Sequence, residues 1–344
     1  MAFLFKRNPK TPGELVRAFN DSVAKLDDKK GTGPEECGRY LKQIKVIFYG
    51  DDDTEVVPDQ AQALGDELQH HDSLYLLATN LRKLEFDSRQ DTAMVFAAMM
   101  RRGPATTFPK RAEIKVTGDY MVNQRPEILQ ALINSCDDSD VGLLAGSILR
   151  ECCKYEPVCG YVMSQPKFWQ WFGVVLRYPV FEVANDIFST IKFCLTTHKP
   201  MASAWLVANY DKFVHHINVM ITGQNYVFKR SAMRFISTLV QERANQQFLT
   251  RYFDDPTNLK VVMMNLNDQS RNLGVDAFNL FKYFVAKPKK NQKVLDILIR
   301  NKHQFIALFD RFNPPQSDPN FADEMTYVKR EIAHLPDIGE KPPA

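Results

Sequence analysis

The feature that most constrains the fold of this 344-residue chain is a helical segment with a central aromatic residue, which recurs along the sequence. Phe188, Phe235 and Phe278 occupy the equivalent central position in three such segments and are 47 and 43 residues apart. A related segment around Ile148 extends the series back by 40 residues. Periods of about 40–47 residues, with two or three helices each, are typical of armadillo and HEAT repeats. Because one such unit cannot bury its apolar face alone, we expect stacked units to form one continuous α-solenoid.

Helical patterns also fill the sequence between these segments. A second set of helices with a shared pattern lies at residues 167–175, 210–220, 258–266 and 303–312. No long alternating strand pattern is present, although VFEVAN (180–185) and YVMSQ (161–165) are too short for periodicity to decide. We therefore predict an all-α, armadillo/HEAT-like helical-repeat solenoid, a single elongated domain over residues 1–335 with about six to seven repeats.

Local signals predict where helices begin and end. Thr11 can cap a helix that starts at Pro12, and Glu14 can close a capping box. Gly50 and Gly103 follow helical segments at positions where a helix is expected to end. Two loops are predicted at residues 103–110 and 313–320. Residues 321–335 are predicted to form a helix that caps the last repeat, and residues 336–344 a disordered tail.

Composition excludes several classes of protein. The six cysteines form no C-x-x-C motif, and Cys152 and Cys153 are adjacent, so we expect free thiols in the core of an intracellular protein. The first ten residues are too poor in apolar side chains for a signal peptide, and Pro9 interrupts them. No run of about 18 apolar residues is present. We therefore predict a cytoplasmic protein without membrane insertion.

The sequence offers no recognisable catalytic or cofactor-binding motif. The sequence contains no phosphate-binding, dinucleotide-binding or nucleophile-elbow motif. The two pairs of adjacent histidines are poorly placed to share a metal ion, because neighbouring side chains on a helix diverge by about 100°. Of the acidic clusters at 50–55 and 136–140, only the second has the glycine of a calcium-binding EF-hand loop, and neither has its closing glutamate. We predict that the protein is not an enzyme and binds no cofactor or metal ion. We expect the acidic clusters to be solvated turns or helix caps.

Positive charge is concentrated in the C-terminal third. Residues 224–303 contain 14 Lys/Arg and 6 Asp/Glu, whereas the whole chain has a net charge of +3. Within this region, residues 225–235 sort at helical spacing into an apolar face and a face with Tyr226, Arg230 and Arg234. The basic balance indicates either a partner with carboxylate or phosphate groups or a solvated lysine-rich face. Nucleic acid is disfavoured because no base-reading triplet recurs, so an RNA-binding solenoid is the weaker alternative.

Long collinear stretches of the sequence resemble the calcium-binding protein 39 family, also called mouse protein-25, which has HymA-like members in filamentous fungi. The resemblance covers roughly residues 1–335. It is carried by IKVIFYG (44–50), AAMMRRG (97–103), SILRECCKYEP (147–157), FEVANDIFSTIKFCLTTHK (181–199), QNYVFKR (224–230), NLKVVMMNL (258–266) and QSRNLGVDAFNLFKYFVAKPKK (269–290).

This resemblance implies a helical-repeat scaffold without catalytic activity. Such scaffolds bind protein kinases or pseudokinases of the sterile-twenty type and hold them in an active, closed conformation. In fungi the implied partners are germinal-centre-type kinases of polarity and cell-separation signalling, with recruitment to sites of polarised growth or septation. A passive solenoid adaptor, which tethers partners without activating them, is the alternative.

The resemblance implies a pocket on the C-terminal repeats that takes a Trp-Glu-Phe-like C-terminal tail of the partner. Arg230 and Met263 stand at the family positions of this pocket. Arg230 is expected to pair with an acidic group of the tail, and Met263 to line a cavity for an aromatic ring. Lys260 lies one turn before Met264 and is expected to assist.

The second implied surface is a concave face that holds a kinase domain. Phe181, Tyr226, Arg234 and Arg243 stand at the matching positions. Arg234 replaces a lysine of the animal members, which keeps the charge but changes the geometry. Gln246 replaces a phenylalanine of the animal members on this face, and this leaves the identity of the kinase partner open.

Overall fold

The computed structural model of the protein describes residues 9–28, 32–101, 116–177, 179–312 and 320–337. All regular secondary structure in these ranges is helical, which confirms the all-α prediction. The principal α-helices are α1 (Pro12–Val23), α2 (Gly33–Tyr49), α3 (Pro58–His70), α4 (Ser73–Asn80), α5 (Phe86–Arg101), α6 (Pro126–Ser135), α7 (Gly142–Cys152), α8 (Glu156–Ser164), α9 (Pro166–Arg177), α10 (Phe181–Thr197), α11 (Lys199–Ala208), α12 (Tyr210–Thr222), α13 (Tyr226–Val240), α14 (Gln246–Asp254), α15 (Pro256–Leu266), α16 (Arg271–Ala286), α17 (Gln292–Arg300), α18 (Lys302–Asp310) and α19 (Phe321–Ala333). The shorter helical segments are Leu81–Lys83, Tyr120–Gln124 and Arg243–Asn245.

The chain divides into two compact units, Met1–Thr197 and His198–Ala344. Each unit consists of stacked helices, as expected for a helical-repeat protein. The extent of one domain over residues 1–335 stays a prediction.

The first unit is built on a ladder of helices, one from each repeat. α2 packs against α5, α5 against α7, and α7 against α10. A second row is formed by α1, α4 and α6, which pack against one another in chain order. Ile148 on α7 and Phe188 on α10 are buried, so their 40-residue spacing marks equivalent positions in neighbouring repeats.

The second unit has the same arrangement, with α13, α16 and α19 as its ladder. Its second row consists of α12, α15 and α17. Phe235 on α13 and Phe278 on α16 are buried at the repeat-defining positions. The predicted capping helix is α19, which packs against α16 and α18 and ends at Ala333. Its Phe321 ring lies 4.8 Å from the Phe278 ring, measured between centroids.

Thr11 and Gly50 test the predicted start of one helix and the predicted end of another. Thr11 Oγ1 accepts the backbone N–H of Glu14 at 3.2 Å, as predicted. The Glu14 carboxylate accepts the N–H of Lys10 at 2.8 Å, one residue before the position that a capping box uses. Gly50 ends α2 with φ +71°, a conformation that favours glycine.

Several predictions fall partly or wholly outside the described residues. These are the helix stop at Gly103, the loop 103–110, most of the loop 313–320, and residues 338–344 of the predicted tail. The two segments left undecided between strand and helix, 180–185 and 161–165, are largely helical, in α10 and α8.

The compositional predictions can also be compared with the fold. All six cysteines are buried and unbridged, which confirms the prediction of free thiols in the core. Among the described residues, no helix combines the length and the apolar character needed to cross a bilayer.

Ion pairs join successive helices of the ladder. Arg150 on α7 donates from both terminal nitrogens to the Asp186 carboxylate on α10 at 2.9 Å. The same guanidinium donates to Thr190 Oγ1 at 2.7 Å. The Arg150 and Asp186 side chains are only 24% and 15% exposed, so the pair is shielded from water. Gly146 makes room for it, because a Cβ at that position would overlap the Asp186 carboxylate.

We predict that Gly146→Ala destabilises the protein by about 1–3 kcal/mol, although alanine is the better helix former. The added methyl displaces the Asp186 carboxylate and disrupts its bidentate bond with Arg150. Urea unfolding, followed by circular dichroism, measures the change in the midpoint.

The matched control is Gly173→Ala in α9. The nearest neighbour of a Cβ at this position is the flexible end of Arg177, at 3.2 Å. This substitution is expected to leave stability unchanged or to raise it by up to about 1 kcal/mol. Equal effects of the two substitutions would contradict a specific role for Gly146.

Candidate functional site

The two predicted faces of α13 have the expected burial. Asn225 caps the helix, since its Oδ1 accepts the backbone N–H groups of Val227 and Phe228 at 3.0 and 3.2 Å. The apolar face is buried and consists of Phe228, Ala232, Phe235, Ile236 and Leu239. On the opposite face, Tyr226 and Arg234 are exposed. The helix therefore stacks in the core with one side and presents the other to solvent.

Arg230 is held by a carboxylate of the next ladder helix. Its Nε donates to Asp276 Oδ2 on α16 at 2.7 Å. The Asp276 side chain is 11% exposed and the Arg230 side chain 34%, so the pair lies at the edge of the core. This hydrogen bond raises the pKa of Arg230 and keeps its charge fixed in place. The bond with Asp276 uses one of five guanidinium donors, and the Tyr226 side chain also hydrogen bonds to Arg230. The planar guanidinium is suited to a further carboxylate.

Tyr226 and Lys229 on α13 interact with the start of α16 and with the connection before it. Hydrogen bonds from Ser270 and Asn272 lower the pKa of the exposed Tyr226. Lys229 Nζ lies 3.7 Å from Asp268 Oδ2, and the Lys229 side chain is largely buried. The first two turns of α13 are therefore fixed in position by the residues that lead into α16.

A groove of about 440 Å³ opens beside this connection. It is lined by Leu266, Asn267, Asp268, Gln269, Arg271, Gly274, Leu308, Arg311 and Phe312. Gly274 is closely packed there, because a Cβ would lie 3.3 Å from the Phe312 ring and from the Leu266 carbonyl oxygen. The groove combines apolar side chains with two guanidinium groups, which suits a peptide with aromatic and acidic residues. No pattern in the sequence predicted this groove.

The remaining residues of the predicted tail pocket lie on α15. Val261 and Val262 are buried, Met263 is half-buried, and Met264 is 63% exposed. Lys260 is exposed. The apolar run therefore extends from the core to the surface, as its length indicated. Met264 is the most exposed large side chain of the run, although no pattern in the sequence predicted a role for it.

Helix α16 connects the two parts of the predicted tail pocket. Both α13, which carries Arg230, and α15, which carries Met263 and Lys260, pack against α16 in the ladder or beside it. Arg230 reaches α16 through its bond with Asp276. The roles of these three residues in binding stay predictions.

The residues predicted for the concave face are distributed over both units. Phe181 begins α10 in the first unit and is 43% exposed. Tyr226, Arg234, Arg243 and Gln246 belong to the second unit, and all four are exposed. Their exposure makes them available for contacts, and their roles likewise stay predictions.

Gln246 lines a second groove of about 290 Å³ in the second unit. The groove is otherwise lined by Val240, Leu249, Thr250, Phe253, Tyr283, Ala286 and Lys287. The Phe253 and Tyr283 rings lie 5.6 Å apart, and Lys287 forms an ion pair with Asp254 at 2.6 Å. Gln246 thus borders a largely apolar depression.

The acidic clusters serve as turns and caps, as predicted. Asp51 Oδ1 accepts the N–H of Asp53 at 3.1 Å in an exposed turn. Asp138 Oδ1 accepts the N–H groups of Asp140 and Val141 at 2.8 and 3.2 Å, directly before α7. Asp137 pairs with Lys167 at 2.6 Å. These carboxylates therefore have partners within the protein.

Comparison with known proteins extends the similarity over the whole chain. The sequence model of the family described as Mo25-like matches residues 3–336. A Mo25-like protein of Schizosaccharomyces pombe is 34% identical over 339 residues, which cover 97% of this chain and 100% of that protein. The calcium-binding protein 39-like protein of Mus musculus is 31% identical over 336 residues, 96% of this chain and 97% of that protein. The conidiophore development protein hymA of Emericella nidulans is 30% identical over 365 residues, 98% of this chain and 94% of that protein.

We predict that Arg230 and Asp276 are energetically coupled. Arg230→Ala, Asp276→Ala and the double variant are expected to give a coupling free energy of about 1 kcal/mol in urea unfolding. The reason is that loss of either partner leaves the other at the edge of the core without its ion pair.

The Lys329–Asp310 pair is the matched control. Its side chains are 35% and 56% exposed, so solvent screens the interaction. We expect its coupling free energy to be below about 0.5 kcal/mol. Equal coupling in the two cycles would contradict the special position of the Arg230 pair.

Proposed function

Because the chain belongs to the Mo25-like family, we propose that it is a non-catalytic scaffold for a protein kinase. The partner is a sterile-twenty- or germinal-centre-type kinase, or a pseudokinase of that type. The chain activates it allosterically by binding its active conformation. The observation that carries this proposal is the polar face of α13, where Asp276 holds Arg230 at the edge of the core.

The C-terminal tail of the partner binds at the second unit. Arg230 receives an acidic group of a Trp-Glu-Phe-like sequence on its terminal nitrogens, while Asp276 keeps the guanidinium in place. Met263 lines the cavity for an aromatic ring, and the exposed Lys260 adds positive charge. The partial exposure of Met263 supports this role, because a fully buried side chain would be unavailable to a ligand.

The kinase domain binds the concave face. Tyr226, Arg234, Arg243 and Gln246 contribute from the second unit and Phe181 from the first. Arg234 lies one turn after Arg230, so a single helix serves the tail and the kinase domain. The groove beside Gln246 fits a partner that supplies an apolar side chain where the animal scaffolds supply phenylalanine.

Activation follows from a difference in affinity. A scaffold can shift the kinase toward its active conformation only as far as it binds that conformation more tightly than the inactive one. A change from 1:99 to 99:1 requires a difference of about 5.5 kcal/mol. The contact with the kinase domain must supply this difference, whereas the tail contact raises the effective concentration of the scaffold at the kinase domain.

We place the protein in the cytoplasm, in signalling for cell polarity and cell separation. The similarity to a fungal protein named for conidiophore development supports a role in morphogenesis. Recruitment to sites of polarised growth or septation would follow from its kinase partner.

We predict that a fluorescent peptide ending in Trp-Glu-Phe with a free carboxylate binds the full chain saturably. Arg230→Ala and Met263→Ala are each expected to weaken binding by at least about tenfold, because each removes an anchor of the tail. Fluorescence anisotropy measures the dissociation constants.

Arg234→Ala is the matched control, since it removes an exposed arginine one turn along the same helix. It should leave the affinity for the peptide within about twofold, because we assign Arg234 to the kinase domain. Binding that is insensitive to Arg230→Ala and Met263→Ala, or absent in the wild type, would contradict the tail pocket.

A further inference from the structure

Three buried cysteines of the first unit place their sulfur atoms together. The Sγ atoms of Cys153, Cys159 and Cys194 all lie within 4.8 Å of one another, and none of these residues is exposed to solvent. Cys153 directly follows α7, Cys159 lies on α8 and Cys194 on α10. The group therefore joins three helical elements of one repeat junction.

We propose that these three cysteines form a site for a thiophilic closed-shell metal ion. Cu(I) is the preferred ion, and Zn²⁺ shares the same ligand chemistry. The site is independent of the kinase-binding surfaces, which use none of these residues.

The spacing of the sulfur atoms fits a metal at their centre. A metal–sulfur distance of about 2.3 Å in a trigonal plane places the three sulfurs about 4.0 Å apart. Sulfurs within 4.8 Å of one another therefore need to approach by less than about 1 Å, which cysteine side-chain torsions can provide.

A further sulfur atom supports a soft metal. Met163 Sδ lies 3.9 Å from Cys159 Sγ, on the same helix. Thiolate and thioether sulfur are the ligands that favour Cu(I). Structural zinc usually takes four ligands from cysteine, histidine or carboxylate side chains. Three thiols with a thioether nearby thus match Cu(I) better than Zn²⁺.

Binding of the metal exchanges the protons of buried thiols for a cation. Thiols buried in apolar surroundings are protonated when no metal is bound. Binding of Cu(I) forms three copper–sulfur bonds and releases two protons to solvent, leaving two thiolates and one neutral thiol. The oxidation states do not change, and the complex carries one negative charge. The metal would thereby fasten α8 to α10.

The test uses the full chain, purified without oxygen under reducing conditions and exposed to Cu(I) or Zn²⁺ in parallel. After removal of free metal, inductively coupled plasma mass spectrometry measures the amount of metal bound per chain. We expect one copper ion per chain, an ultraviolet thiolate-to-metal band, and a rise of about 5 °C in the unfolding temperature. Retention of zinc in place of copper would support the site and correct the choice of ion.

Cys152 provides a matched control. It is buried next to Cys153 but does not belong to the sulfur group. Cys153→Val, Cys159→Val and Cys194→Val are each expected to abolish stoichiometric metal binding, whereas Cys152→Val should retain it. Circular dichroism establishes whether each variant is folded. X-ray absorption of the wild type counts the sulfur ligands directly, so the test does not depend on the variants.

Three outcomes would overturn the proposal. The first is a wild-type chain that retains neither copper nor zinc. The second is equal loss of metal in the Cys152→Val control. The third is stoichiometric metal binding by the folded Cys153→Val, Cys159→Val and Cys194→Val variants.

Discussion

The structure depends on the stacking of one helix of each repeat against its equivalent in the next. A single helix of this kind buries only part of its apolar surface, and its partner in the neighbouring repeat buries the rest. Polar side chains cross these junctions and must be paired there, because an unpaired charge at the edge of the core is costly. Arg150 with Asp186 and Arg230 with Asp276 are two such pairs, and Lys45 with Asp91 and Lys282 with Glu324 join other ladder helices in the same way. The repeat spacing thus determines both where the apolar stripe continues and where the charges meet.

The Arg230–Asp276 pair, which stabilises the junction of α13 and α16, also lies at the proposed binding surface. Asp276 holds Arg230 through its Nε, so the guanidinium is fixed before any partner arrives. Less side-chain freedom is then lost on binding, which favours affinity. Tyr226 and Lys229 are also tied to the residues that lead into α16, and this immobilises the first turns of α13. A helix that is firmly attached on its apolar side can present a rigid polar face, as an allosteric scaffold requires.

The sequence predicted the features that depend on local periodicity. Phe188, Phe235 and Phe278 identified the repeats because helical spacing and repeat length are both visible in the sequence. The cap at Thr11 and the stop at Gly50 were predictable for the same reason. The partner of Arg230 was not, since Asp276 lies 46 residues away and only packing brings it close. The groove beside Phe312 and the sulfur cluster are likewise products of tertiary packing. The assignment of Arg230, Met263 and Gln246 to binding surfaces came from the family resemblance, because burial and spacing alone identify only a polar face.

The proposed function requires that the chain change the activity of a kinase as well as bind it. The most direct measurement is the turnover of the partner kinase, purified with its complete C-terminal tail, at increasing concentrations of the chain. We expect a saturable rise in turnover. Arg230→Ala should shift this rise to higher concentration, and Arg234→Ala should lower its amplitude. Stable association of the two proteins with unchanged turnover would contradict activation and identify the chain as a passive adaptor.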